Sequence, residues 1–230
     1  MNNGKNDLTE GSIGRKLISF FLPIAAGTLF QQLYNAADAI VVGKFVGTIA
    51  LAAGKFAGED ALAAVGASYP VTMIFMAVAF GMNIGISVVI SQLFGAKDEE
   101  SIQKATGTAV AFCIISGIVL TVVGIIFAPF FLRVLQTPAD TISEATTYLR
   151  IVFLGVTAQL LYNIEAGVFN AVGDSRSPFI YLSICCIVNI FLDLLLVAIF
   201  KMGVAGAAIA TIVSQILSAV LATAKLMRST

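Results

Sequence analysis

The sequence predicts an all-α membrane protein, a polytopic bundle of about six transmembrane helices. Of its 230 residues, 59% are hydrophobic and 11% are charged, and the mean hydropathy is +0.99. A soluble domain of this size carries roughly 25% charged residues, and one water-soluble core could not bury so much apolar surface. Apolar runs long enough to cross a bilayer make up most of the chain.

Charged residues divide the chain at the scale of a transmembrane helix, which needs about 20 mostly apolar residues. The predicted spans are residues 17–42, 61–96, 105–132, 142–168, 178–200 and 204–224. Polar turns at 95–104 and 137–140 separate the middle spans. These runs are too long and too evenly apolar for membrane-barrel strands, which are about ten residues long and alternate in polarity.

The first sixteen residues are polar, and the apolar run after them is too long for a cleaved signal sequence. We therefore expect a cytoplasmic N-terminal segment at 1–16 and a six-helix transmembrane unit at 17–227. Lysine and arginine concentrate on the cytoplasmic side of membrane proteins. A cytoplasmic N-terminus places eight of them inside and five outside. This excess predicts a multi-pass protein of the plasma (inner) membrane with both termini in the cytoplasm.

A tandem repeat lies between the first two spans. The segment GKFVGTIALAA at 43–53 is followed directly by GKFAGEDALAA at 54–64, and eight of the eleven positions are identical. Eleven residues make almost three helical turns, so the insertion preserves helix register with about 20° of drift. We interpret the repeat as a lengthened outer loop or helix end without a functional role.

Several classes of function are disfavoured by the composition. The chain has no histidine, and Cys113, Cys185 and Cys186 all lie inside apolar runs, which is typical of packing residues. No nucleophile–base pair, metal-ligand cluster or phosphate-binding loop is recognisable. The formal net charge is zero, so nothing suggests attraction to nucleic acid. We expect a protein that is not an enzyme and that uses no cofactor.

Two acidic residues, Asp38 and Asp193, lie within otherwise apolar spans. A charge inside a bilayer costs about 2.5–3.5 kcal/mol on insertion scales, and such residues by default indicate function. Asn189 lies one helical turn before Asp193, and neither span contains lysine or arginine. A proton or Na⁺ is therefore the natural counter-charge. The alternative is that both acids only hydrogen-bond neighbouring helices.

The predicted first helix has one polar face. Gln31, Asn35 and Asp38 follow one another at i, i+4 and i+7, and Tyr34 lies beside Asp38. We expect these side chains to line a cavity. Pro23 lies about one turn into the same span, where a proline favours a kink, and we consider it a hinge candidate.

A third acid, Glu165, lies near the cytoplasmic end of the fourth span. Water is close there, and a polar loop begins a few residues later. We expect this carboxylate to lie at the membrane interface or to bond to the loop.

An ordered set of motifs resembles the bacterial branch of the multidrug and toxic compound extrusion (MATE) family over essentially the whole chain. The motifs are IAAGTLFQQLYNAADAIVVGKFVG, EDALAAVGASYP, NIGISVVISQLFGAKDEESIQKA, GVFNAVGDSRSPF and VNIFLDLLLV. The Gly-Ala-Lys-Asp loop and the Gly-Asp-Ser-Arg-Ser-Pro loop are the more specific pieces. The resemblance implies two six-helix lobes related by a pseudo-twofold axis along the membrane normal. It also implies export of organic cations and other drugs in exchange for H⁺ or Na⁺, by alternating access.

The resemblance also implies roles for single residues. Four positions match the cation site of the family's first lobe: Asp38, Asn189, Asp193 and Thr211. Tyr34 and Tyr148 match residues that line the same cavity, and Pro23 matches a proline associated with bending of the first helix. Thr211 adds a hydroxyl to two carboxylates and an amide, and Na⁺ prefers such hard oxygen ligands.

The chain ends at Thr230, just after the sixth predicted span. We therefore expect it to match the first lobe only, with the second lobe supplied in cis or by a second copy. The expected partners are the lipid bilayer and small, cationic organic substrates. Two alternatives stay open. One is flippase-type export of a lipid-linked or peptide-like molecule, which would favour basic cavity residues that this half lacks. The other is a truncated lobe that does not transport.

Overall fold

The computed structural model describes residues 13–41, 44 and 57–229, and a few helical residues of the first two helices by their backbone alone. Within these residues, six helices follow in chain order: α1 Ile13–Val41, α2 Ala57–Gly95, α3 Glu99–Val134, α4 Ile142–Ala171, α5 Arg176–Asp193 and α6 Gly203–Ser229. A π-helix, Leu194–Ile199, continues α5. These ranges contain no strand. The prediction of an all-α bundle is confirmed.

Five of the described helices are long and apolar enough to cross a membrane, judged by length and composition. They are α2 from Ala63, α3, α4, α5 with its π-helix, and α6 to Arg228, while α1 contributes the shorter apolar stretch Leu17–Phe30. Large side chains such as Ile126 and Ile187 are more than 60% exposed on the outer faces. Exposed apolar surface of this extent is suited to lipid, which solvates it without cost.

The fourth helix is the centre of the bundle. It packs against α2, α3 and α6, whereas α1 packs mainly against α5. Phe153 of α4 is fully buried and lies edge-on to Phe75 of α2, with ring centroids 4.5 Å apart. A Cβ at Gly124 of α3 would lie only 2.3 Å from the Phe153 ring. The absence of a side chain at Gly124 therefore lets α3 approach α4 closely, as small residues do in membrane bundles.

The polar loop at 95–104 forms the start of α3. Lys97 adopts a left-handed conformation with φ 59°, and the Asp98 side chain accepts a hydrogen bond from the Ser101 backbone N–H at 3.0 Å. This bond satisfies one of the free amides at the helix start. The hydrogen bonds from Ser101 also lower the pKa of Asp98.

Two predictions about chain segments are only partly covered by the described residues. Helix α1 begins at Ile13, inside the expected N-terminal segment, and residues 1–12 lie outside the description. The tandem repeat at 43–64 also lies mostly outside it. Of the repeat, the structure describes Lys44 and the last eight residues, which form the first turns of α2.

Candidate functional site

Backbone geometry changes at the acid that the sequence singles out in α5. Asp193 is the last α-helical residue, and the π-helix begins at Leu194. Isolated π-helical turns are rare and often occur at functional sites. Asp193 is fully buried, and Asn189, one turn earlier, is 1% exposed. Both polar side chains therefore point into the lobe and away from lipid.

A polar cavity lies between α4, α5 and α6. Its lining includes Asn189 and Thr211, which the resemblance places in one site, together with Gln159 and Asn163 of α4. The cavity volume is about 20 Å³, which is room for one water or ion. Neither polar atom of the Asn189 amide has a hydrogen-bond partner among the described residues. A buried amide without partners is costly, so this cavity suits a polar guest.

A small apolar cluster fixes the position of α1 along the bundle relative to the π-helix and α6. Val41 of α1, Val197 of the π-helix and Ala207 of α6 are buried against one another. Each lies about one turn from a predicted ion-site residue: Asp38 precedes Val41, Asp193 precedes Val197, and Thr211 follows Ala207. The backbone therefore brings these three positions to one level of the bundle.

Contacts along α1 confirm that the first and fifth helices are neighbours. The rings of Phe30 and Phe179 lie edge to face with centroids 5.8 Å apart, and the Cys186 thiol donates to the Phe30 carbonyl at 3.7 Å. The side chains of four predicted residues of α1 lie outside the described part of the structure: Gln31, Tyr34, Asn35 and Asp38. Their roles stay predictions.

Two other predicted residues lie elsewhere. Tyr148 is half-buried on α4 and is not among the described side chains that line the cavity of Asn189. Pro23 lies inside α1 and lines a second cavity of about 100 Å³, next to Gly27 and Ser175. The structure thus places Pro23 where α1 meets the start of α5.

Tyr162 separates the two cavities and was not predicted from the sequence. It lines both of them, together with Leu182, and its hydroxyl donates to the Pro178 carbonyl at 2.8 Å. Gln159, Tyr162 and Asn163 form a polar group within an apolar span, and that grouping was the available signal.

The prediction for Glu165 is wrong. Its side chain is fully buried and hydrogen-bonds to the Thr223 hydroxyl of α6. The nearby loop acid Asp174 instead pairs with Lys225, with Nζ and Oδ2 2.6 Å apart. Because α4 is covered by helices on several sides, a position near its end does not reach water.

Comparisons with known proteins agree with this architecture. The MatE family matches residues 53–195. The chain is 31% identical over 212 residues to the probable multidrug resistance protein YoeA of Bacillus subtilis, covering 90% of this chain and 43% of YoeA. It is 26% identical to a FAD transporter of Shewanella oneidensis, covering 93% of this chain and 46% of that protein.

Solved structures show the same relation. A MOP superfamily transporter from Pyrococcus furiosus superposes with a TM-score of 0.87 at 25% identity, covering 98% of this chain and 47% of that one. The chain thus spans about half the length of the relatives that it matches. With the family matched over most of the described helices, this multi-pass membrane protein belongs to the MATE family of multidrug efflux transporters and fits the N-terminal half of its members.

Proposed function

We propose that this chain is the ion-coupled lobe of a secondary active antiporter that exports amphipathic, cationic small molecules in exchange for H⁺ or Na⁺. The observation that carries the proposal is the buried polar pair Asn189 and Asp193, at the level where α1, the π-helix and α6 meet. Family membership supplies the transport class, and the relatives are transporters rather than enzymes.

The ion site consists of oxygen-bearing side chains on three helices: Asp38, Asn189, Asp193 and Thr211. Residues 177–199 and 203–224, the stretches of α5, the π-helix and α6 around the site, contain no lysine or arginine. Two buried carboxylates cannot both stay ionised at low cost. A proton on one of them, or a Na⁺ between them, removes the repulsion. The Asn189 amide and the Thr211 hydroxyl then provide neutral oxygens for the ion.

Access to this site follows from the two cavities. The Pro23 cavity lies near the α4–α5 loop, which the positive-inside bias assigns to the cytoplasm together with both termini. Tyr162 and Leu182 stand between that cavity and Asn189. In alternating access, rearrangement around these two side chains, with bending of α1 at Pro23, opens the site to one side of the membrane at a time.

The substrate class rests on charge. Among the described side chains, neither cavity is lined by a lysine or an arginine. This composition favours a cationic cargo over a phosphate-bearing one. A second six-helix lobe, in cis or as a second copy, completes the substrate pathway, since the matched relatives are about twice as long.

The test is dye efflux from lipid vesicles under an imposed Na⁺ or proton gradient. One sample contains this chain followed by a second six-helix lobe, and the other contains the chain alone. We expect gradient-dependent efflux of a fluorescent organic cation in the first sample and none in the second. Efflux by the chain alone would identify a second copy as the partner lobe. An efflux rate that is independent of both the Na⁺ and the proton gradient would refute ion coupling.

A further inference from the structure

A second fully buried acid, Glu165, lies apart from the proposed ion site. It hydrogen-bonds to Thr223, which lies twelve residues beyond Thr211 on α6, about 18 Å along the helix axis. Its other oxygen, Oε2, is also buried and has no hydrogen-bond partner in the described part of the chain. This acid therefore has a single polar contact, across the α4–α6 interface.

The described groups around Glu165 provide no positive charge to balance an ionised Glu165 carboxylate. Titratable groups near Glu165 include the Cys113 thiol of α3 and the Tyr162 hydroxyl of α4, and neither is a cation. On α6, Lys225 is bonded to Asp174 and Ser177. Residues 63–95 of α2 contain no charged residue, and Arg176 of α5 is exposed. Glu165 belongs to neither the Lys104–Glu100 nor the Lys225–Asp174 ion pair.

The surroundings of Glu165 favour a proton on the acid, because the side chain is fully buried and its Oε2 atom has no hydrogen-bond partner among the described residues. The Thr223 hydroxyl contacts two oxygens, that of Glu165 and the Ala219 carbonyl, the latter at 2.9 Å. A hydroxyl carries one proton, and a carbonyl oxygen can only accept. The hydroxyl can donate to Glu165, or it can donate to Ala219 and accept a hydrogen bond from a protonated Glu165 carboxyl group, so both of its contacts are compatible with a neutral acid. A neutral acid also avoids the several kcal/mol that an uncompensated buried charge costs.

We propose that Glu165 is a proton-binding site, a carboxylic acid that holds its proton while α4 and α6 are packed together and releases it when their interface opens to water. This proton site involves neither Asp38 nor Asp193, so its test does not depend on the proposed antiport. Its consequence is that movement of α6 relative to α4 becomes linked to proton concentration. The release step transfers one proton from the carboxyl group to water and leaves a solvated carboxylate.

Infrared difference spectroscopy of the chain in lipid nanodiscs at neutral pH tests this site. The carbonyl stretch of a protonated carboxyl group is separate from the bands of a carboxylate. The spectrum of Glu165→Gln should lack one protonated-acid band that the wild-type spectrum contains. The matched control is Glu144→Gln, an exposed acid on the same helix, and its difference spectrum should contain only carboxylate bands. Carboxylate bands in the Glu165→Gln difference would overturn the proposal.

A second variant covers the case in which Glu165→Gln does not fold. Thr223→Val leaves the acid in place and removes its one hydrogen-bond partner, so the protonated-acid band should shift in frequency. An unchanged protonated-acid region in Thr223→Val would also overturn the proposal.

Discussion

Asp193 and Glu165 show how burial by itself leaves the role of an acid undecided. Both are fully buried, but Asp193 ends the α-helical part of α5 one turn after the cavity-lining Asn189, whereas Glu165 lies in a helix interface with one hydroxyl contact. Asn189, next to the first acid, has an amide without partners in the described structure. For this reason we propose ion binding for Asp193 and storage of a proton for Glu165.

We predict that the single substitution Asp193→Asn keeps the fold and abolishes ion-coupled transport in a protein that carries both lobes. The amide can still hydrogen-bond, but it can neither release a proton nor balance a cation. Asp38→Asn should have the same effect, and the double variant should be little worse than either single one, as for residues that act as a unit.

The measurement is dye efflux under an imposed ion gradient, with Asp98→Asn, an exposed acid, as the control. Wild-type rates in both single variants would show that the two acids are structural.

Helix packing in this lobe depends on close backbone approach and on polar contacts between elements. Gly124 admits the Phe153 ring, and Asp174, in the loop before α5, holds Lys225 and Ser177. The Lys225 ammonium also lies 5.4 Å from the centre of the Phe169 ring, a cation–π distance. The end of α6 is thereby tied to the α4–α5 connection.

Gly124→Ala should destabilise the lobe by about 1–3 kcal/mol, the usual cost of overpacking. The new methyl group meets an aromatic ring that is fully buried and cannot move aside easily. Thermal unfolding in detergent measures the loss. Gly107→Ala on the same helix is the matched control, because no atom lies within 4 Å of its added Cβ. Equal melting temperatures for the two variants would contradict the packing argument.

Asp174→Asn should lower stability at neutral pH by about 0.5–1 kcal/mol, as expected for a partly exposed ion pair. Burial acts to raise the pKa of Asp174, but the bonds from Lys225 and Ser177 outweigh it and lower the pKa. A lowered folded-state pKa stabilises the protein above the unfolded value of about 4, and the stabilisation is lost as pH falls through the folded value.

The difference between wild type and Asp174→Asn should therefore be present at pH 7 and disappear in acid. Unfolding curves at both pH values measure it, and Glu99→Gln, an exposed acid, serves as the control. A difference that persists unchanged in strong acid would rule out the ion pair as its cause.

The whole molecule is a bundle whose outer faces suit lipid and whose loops alternate between the two sides of the membrane. We predict that the loops at 95–104 and 173–177 are cytoplasmic and that the 137–140 turn is external. Ser175 is buried, so the exposed Arg176 is the better probe beside it.

In a cysteine-free background, a membrane-impermeant thiol reagent added outside should label Ala139→Cys. It should miss Asp98→Cys and Arg176→Cys. Strong external labelling of Arg176→Cys would reverse the orientation.

The order of apolar runs and polar loops was sufficient to predict the all-α fold class and a bundle of about six helices, and the motifs within those segments indicated the family. A bilayer requires each spanning segment to satisfy its own backbone hydrogen bonds, so hydropathy alone specifies a helix. Asp38 and Asp193 stood out for a related reason, because a charge within an apolar span is exceptional. The neighbouring positions of α1 and α5 followed from that pair of acids.

The burial of Glu165, the cavity shared by Asn189 and Gln159, and the π-helix after Asp193 were decided by the tertiary structure alone. In a membrane protein both the lipid and the interior are apolar, so the periodicity of a helix hardly distinguishes its covered face from its outer face. Which side chains of α4 meet α6 depends on how α2, α3 and α6 surround it. That arrangement comes from close packing between helices, at glycines such as Gly124, and cannot be read from any one span.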